Sequence, residues 1–184
     1  MFLSEPQATP LDLQFRVADV PVRVSGLFWL GTVLLGWDIC EFFARGDRRG
    51  VLVYLAIWCA VVLGSILIHE LGHALAYARF GQPARVVLYH FGGLAIPESW
   101  GRRRHLPPAE RFIVSAAGPL AQLLVAAAVI ALLKGAGMMV PFPFPSLGAA
   151  LGFDEGRRFA SPQALALFDF LLFVNVCWPL MNLV

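Results

Sequence analysis

A chain of 184 residues that is 59% hydrophobic and only 14% charged, with a mean hydropathy of +0.72, lies far from the roughly 25% charged content of soluble domains and belongs in a membrane. Its net charge of +2 comes from Arg-rich loops rather than one basic face, which argues against a phosphate-tracking surface and so against nucleic acid as a partner. The three cysteines, Cys40, Cys59 and Cys177, are odd in number, far apart and each set in an apolar run. They read as small apolar filler rather than a disulfide framework or thiolate cluster.

Met1 to Pro10 has neither a basic start nor a long apolar stretch, so it is not a secretory signal. Gln14 to Val24 mixes β-branched residues with Arg16, Asp19 and Arg23, which predicts a surface strand, and Pro21 confines such a strand to an edge. A first span runs from Val24 through Phe43 and ends at the Arg45 to Arg49 cluster. Asp38 and Glu41 within it read as an interfacial helix end beside Trp37, or as the lining of a polar gate. The second span, Gly50 to Ile68, holds 19 uncharged residues and runs into His69; its helical pattern continues to about Phe80, where Gly81 and Pro83 stop it.

Phe112 to Leu133 is a third span of 22 uncharged residues. Its small residues Ser115, Ala116, Ala117, Gly118 and Ala121 allow close helix approach in lipid. Pro119 frees a backbone carbonyl near Ser115, serving either a water path or a packing bend. Gly135 to Phe153 is uncharged but broken by Pro141, Pro143 and Pro145, which predicts an apolar loop or re-entrant segment. The fourth span runs from near Ser161 to Val184. Six Arg (79, 85, 102, 103, 104 and 111) lie between spans two and three, against three basic residues in each of the other two connections, so the loop after span two is the better cytoplasmic candidate. The expected fold class is mainly α: a polytopic transmembrane helical protein of about four spans with a small membrane-associated β element. Residues 1–24 form a surface segment and 24–184 the transmembrane part of a single core.

His69-Glu70-Leu71-Gly72-His73 puts two imidazoles at i and i+4, on one helix face and within reach of one metal ion. Neutral imidazole nitrogens suit Zn2+, and Glu70 beside them can take a proton from an activated water and return it to a leaving amine. Ionisable groups in a span are expensive unless they serve a function. The bland alternative is an interfacial face on a helix that has left the bilayer at Ile68, and the apolar Ala74, Leu75 and Ala76 that follow argue against it. Gly92 and Gly93 permit close backbone approach, so the strand before them, Arg85 to Tyr89, could present an unpaired edge to an extended substrate; otherwise they mark a tight turn. His90 reads as a strand-end imidazole bonded to backbone, or as facing the site. His105 reads as a solvated loop residue. Asp169 and Cys177 are weak candidates for further ligands, with helix packing and apolar filling as their plain roles.

The order of these motifs resembles the site-2 protease family of intramembrane metalloproteases along nearly all of the chain. Ile66-Leu67-Ile68-His69-Glu70-Leu71-Gly72-His73-Ala74 resembles its zinc helix, Phe91-Gly92-Gly93 its glycine-bearing loop, Ala117-Gly118-Pro119 its third-span motif, and Asn175 with Asn182-Leu183 the approach to its last metal-binding segment. Gln122 stands where that family usually has Asn. The resemblance implies a zinc metalloendopeptidase of a bacterial plasma membrane. His69 and His73 would be its ligands and Glu70 its catalytic group, with Gly92, Gly93, Gln122, Asn175 and Asn182 on the substrate side. The partners so implied are the lipid bilayer and a single-span membrane protein already trimmed by another protease. The family's third ligand, an Asp, is expected about eight residues after Asn182 and hence beyond Val184, so the sequence reads as lacking the C-terminal part of its core. A non-catalytic membrane scaffold and a metal or ion carrier are the readings from other classes.

Overall fold

The computed structural model describes residues 7–90, 92–98 and 105–182. Phe91, Arg102, Arg103, Arg104 and Leu183, which carry parts of the expectations above, lie outside the described residues. In chain order the elements are β1 (Leu13–Val17), β2 (Val20–Val24), α1 (Gly26–Ala44), α2 (Arg48–Arg79), β3 (Ala84–Tyr89), β4 (Gly92–Pro97), α3 (Pro108–Gly135), α4 (Pro145–Ala150) and α5 (Pro162–Asn182). The helices α1, α2, α3 and α5 are long and apolar enough to cross a membrane. Leu34, Leu52, Leu75, Phe112, Leu124 and Leu132 on them are exposed, an arrangement stable against lipid and costly against water. The chain is an integral membrane protein.

Local chemistry sets the helix ends. Asp47 accepts the amides of Arg49 and Gly50 to cap α2, Ser161 accepts that of Ala164 to cap α5, and prolines open α3, α4 and α5 where a missing donor costs nothing. α2 closes at Gly81, whose φ of 74° lets the Gln82 amide turn back to the Tyr77 carbonyl. With 32 residues, α2 is about 48 Å long, more than a bilayer core requires.

The chain forms two compact units, one of residues 1–34 and 66–121, the other of 35–65 and 122–184. The first holds a four-stranded sheet in the order β1-β2-β3-β4. The N-terminal segment expected as one surface strand is a hairpin of two, because Ala18 takes a left-handed φ of 50° and turns the chain at Ala18-Asp19. Pro21 therefore sits in an inner strand, contrary to the edge expected for it. Proline is tolerated there because parallel pairing with β3 begins only at Val22, and the Arg16–Pro21 pair is one step from the turn-flanking pair Val17–Val20, where alternation leaves no bond to make. Val20, Val22 and Val24 of β2 share a buried face with Val86 and Leu88 of β3, while Val87 is buried on the opposite face beside Arg23; Phe28 and Ile66 are buried as well.

In the second unit Gly36 lets the Trp58 indole lie directly on α1, where a Cβ would collide with it. Phe170 sits edge-on to both Phe43 and Trp58, at 5.4 and 5.3 Å. The segment after α3 is non-helical apart from the six residues of α4. It is tied down by Met139 and Arg157 amides on the Arg157 and Gly137 carbonyls and packs Phe142, Phe153 and Phe159 on the core around Leu172.

Candidate metal centre

His69 and Glu70 of α2 are buried, at 4% and 5% exposure, and His73 is half-buried one turn on. The 3.6-residue period brings the two imidazoles together, with Nε2 of His73 3.1 Å from Nε2 of His69 and the rings edge-on. The Nδ1 of His73 lies 2.6 Å from the Val114 carbonyl of α3. A carbonyl only accepts, so Nδ1 carries the proton, and the neutral ring keeps its lone pair at Nε2, toward His69. Two nitrogens on one tetrahedral ion at 2.0–2.1 Å stand about 3.3 Å apart, close to the separation found. The pair fits two donors of such a site. Among the described residues no third His, Cys, Asp or Glu joins them.

Helix α3 reaches this pair because both helices present glycine at the crossing. A Cβ on Gly72 would stand 2.6 Å from the Ala117 carbonyl oxygen and 3.1 Å from the Gly118 Cα, and one on Gly118 would overlap the His73 ring. The close approach expected of the small-residue series is thus made at the face that carries the two histidines. Pro119 lies inside α3, and the carbonyl that His73 takes is that of Val114, the neighbour of Ser115.

Glu70 faces β4. Its side chain fills the space over Gly93, where a Cβ would strike Cγ and Cδ, and the Ala95 amide hydrogen-bonds to it. Burial first, and the Glu70 charge second, push the Tyr89 phenol above its ordinary value of 10. Gly92 and Gly93 are strand residues rather than a loop. The strand before them, β3, is bonded on both sides, to β2 and β4. On this side the sheet ends at β4, a correction to the edge expected for Arg85 to Tyr89, because the glycine strand pairs antiparallel along its outer side. His90 stands exposed immediately past β3, with a φ of 41° and its ring edge-on to Tyr89.

Gln122 and Asn175, fully buried in the second unit, converge on Ser65. Gln122 donates to the Ser65 carbonyl at 3.2 Å and Asn175 to its hydroxyl at 2.8 Å, with a second Asn175 bond to the Leu171 carbonyl. Asn182 is exposed and donates to the Trp178 carbonyl of its own helix. Asp38, Glu41 and His105 are exposed, and Asp169 is half-buried. Sequence reasoning missed Val114, Ala95, Tyr89 and Ser65. Only Gly118 carried a signal, the Ala-Gly-Pro triplet.

No protein-family profile matches the chain, and no curated protein is similar to it in sequence. Among solved structures it is similar to the site-2 protease from Methanocaldococcus jannaschii, with a TM-score of 0.50 and 15% identity over 89% of this chain. It spans 62% of that protein's length. The fold of this chain, four apolar helices with a small sheet beside the His-Glu helix, is that of a site-2 protease.

Proposed function

We propose that the chain is a zinc-dependent intramembrane protease of a bacterial plasma membrane, hydrolysing peptide bonds within or beside the transmembrane segments of membrane proteins. The observation that carries this reading is the convergence of two imidazole Nε2 atoms at 3.1 Å beside a buried carboxylate. His69 and His73 would hold the ion. Bound there, zinc would supply a Lewis acid and make a water acidic enough to attack an amide at neutral pH. Glu70 takes the proton of the attacking water and returns it to the departing amine. The Ala95 bond and the close fit over Gly93 aim its carboxylate. The Val114 carbonyl keeps His73 in the tautomer that can bind metal. Gly92 and Gly93, on the edge strand, offer backbone to an extended substrate, which offsets part of the cost of unwinding a helix in lipid. Gln122 and Asn175 enter as packing groups through their side-chain NH2 groups, which donate to Ser65 and Leu171, while Asn175 Oδ1 is buried without a partner among the described residues.

Cleavage of a reporter transmembrane peptide by the purified full-length protein tests this. Glu70→Gln is expected to abolish turnover and leave bound zinc unchanged. Undiminished cleavage by that variant would overturn the proton-transfer role. A non-catalytic membrane scaffold is the second reading, favoured by the absence of a third ligating side chain beside the pair among the described residues. A protein that takes up no zinc and cleaves nothing decides for it.

A further inference from the structure

In the unit of residues 35–65 and 122–184, the end of α1 and the start of α5 line a half-open cavity of about 750 Å3. Its walls include Phe42, Phe43, Phe159 and Leu165, and two cationic side chains, Arg45 and Arg158, line it with them. The aromatic walls are fixed in advance. Phe43 is held 5.6 Å from Tyr54 and 5.4 Å from Phe170, and Phe159 stacks on Phe168 at 5.4 Å. Arg45 sits immediately past the last residue of α1 in a left-handed conformation, φ 51°, which a residue with a Cβ adopts at a cost. Both arginines are exposed, and among the described residues neither guanidinium is paired with a carboxylate.

Two features narrow the ligand. The cavity lies where one apolar span ends, at Ala44, and another begins, at Pro162, which is the level of the lipid headgroups. It also joins unneutralised guanidinium groups, suited to a phosphate fork, to an aromatic and aliphatic wall that a free anion would leave unused. We propose that this cavity binds one anionic phospholipid, its phosphate on Arg45 and Arg158 and an acyl chain along Phe42, Phe43, Phe159 and Leu165. The lipid joins the end of α1 to the segment that precedes α5. The inference is independent of the protease reading, since none of its residues belongs to the metal centre.

Native mass spectrometry of the full-length protein, after exposure to vesicles of equal parts phosphatidylglycerol and phosphatidylcholine, reads the site directly. The expected result is one phosphatidylglycerol retained per chain, with a preference over phosphatidylcholine on the order of tenfold for two arginines at a headgroup. Arg45→Gln with Arg158→Gln should bring retention down to the phosphatidylcholine level, and the double Lys replacement should keep most of it. Leu165→Trp, which fills the apolar end without altering charge, should also reduce retention and serves if the double variant melts early. Equal retention of the two lipids by the wild type overturns the proposal, as does unchanged retention after Leu165→Trp. Sodium phosphate added without lipid is the remaining arm. If it binds as tightly as phosphatidylglycerol, the site takes a free anion and the lipid assignment fails.

Discussion

Gly118 of α3 lies against the imidazole of His73 so closely that a Cβ added to it would stand 2.7 Å from Cε1 and 2.8 Å from Cδ2 and overlap Nε2. The ring is thus located from both sides: Val114 holds its Nδ1 and Gly118 supports its far edge. A methyl at position 118 has to push the ring away from His69 or push α3 away from α2. Gly118→Ala is therefore expected to weaken zinc binding by about 10- to 100-fold, the range seen when the support of a metal ligand is lost. Zinc per chain, measured by elemental analysis against a graded chelator, checks it. Gly64→Ala in α2 is the control, because a Cβ there meets nothing within 4 Å. Equal zinc affinity in both variants would sink the supporting role.

Gly93→Ala should separate metal from chemistry. The added methyl strikes Glu70 at Cγ and Cδ and lies 2.8 Å from Leu88 Cδ2, so the carboxylate must move while the two imidazoles stay. Turnover of the reporter peptide is expected to fall by about 100-fold, the usual consequence of a displacement near 1 Å, with zinc content unchanged. A loss of zinc in step with activity would show that strand β4 supports the ligands and not the base.

The Ser65–Asn175 bond predicts a small and specific coupling. Interhelical hydrogen bonds in membrane proteins average about 0.6 kcal/mol, so Asn175→Ala should cost roughly 1 kcal/mol once the Leu171 bond is included. Ser65→Ala in the same background should cost less than it does alone. Thermal unfolding of the two single variants and the double variant in one detergent measures this. A raised KM with an unchanged melting temperature would point to substrate contact by Asn175.

Asp12 gives the fold a pH dependence outside the membrane spans. The Thr9 hydroxyl above all, then the Thr9 and Gly26 amides and the Arg23 guanidinium, hold its carboxyl below the ordinary 3.8, against the opposing effect of burial. The unfolded chain binds this proton more readily than the folded one, so the stabilisation is complete above 3.8 and lost as the pH falls through the lower folded value. Asp12→Asn should melt below the wild type at pH 6, and the two curves should converge as the pH drops below 3.8. A gap that is constant with pH would count against it.

The four spans were legible in composition because lipid leaves the chain few options: backbone groups must bond within a helix, and some 20 apolar residues are needed to cross. Each expected span is a helix with its ends displaced by a few residues; Asp47 and Gly81 set those of α2 and Ser161 the start of α5. The His69–His73 pairing was legible too, since i and i+4 meet on any α-helix whatever surrounds it.

Strand order was not legible. Whether β3 or β4 forms the edge depends on which side of β3 the glycine strand pairs, and Pro21 is acceptable inside the sheet only because β3 pairs from Val22 onward. Both are facts about neighbours distant in sequence. The sequence by itself therefore determined the membrane-spanning elements and the meeting of the two imidazoles, which depend on transfer from water to lipid and on a period of 3.6 residues. Tertiary structure alone decided which carbonyl fixes His73, which strand covers Glu70 and which glycines admit them. These depend on contacts between segments some 20 to 45 residues apart, where no local pattern carries the information.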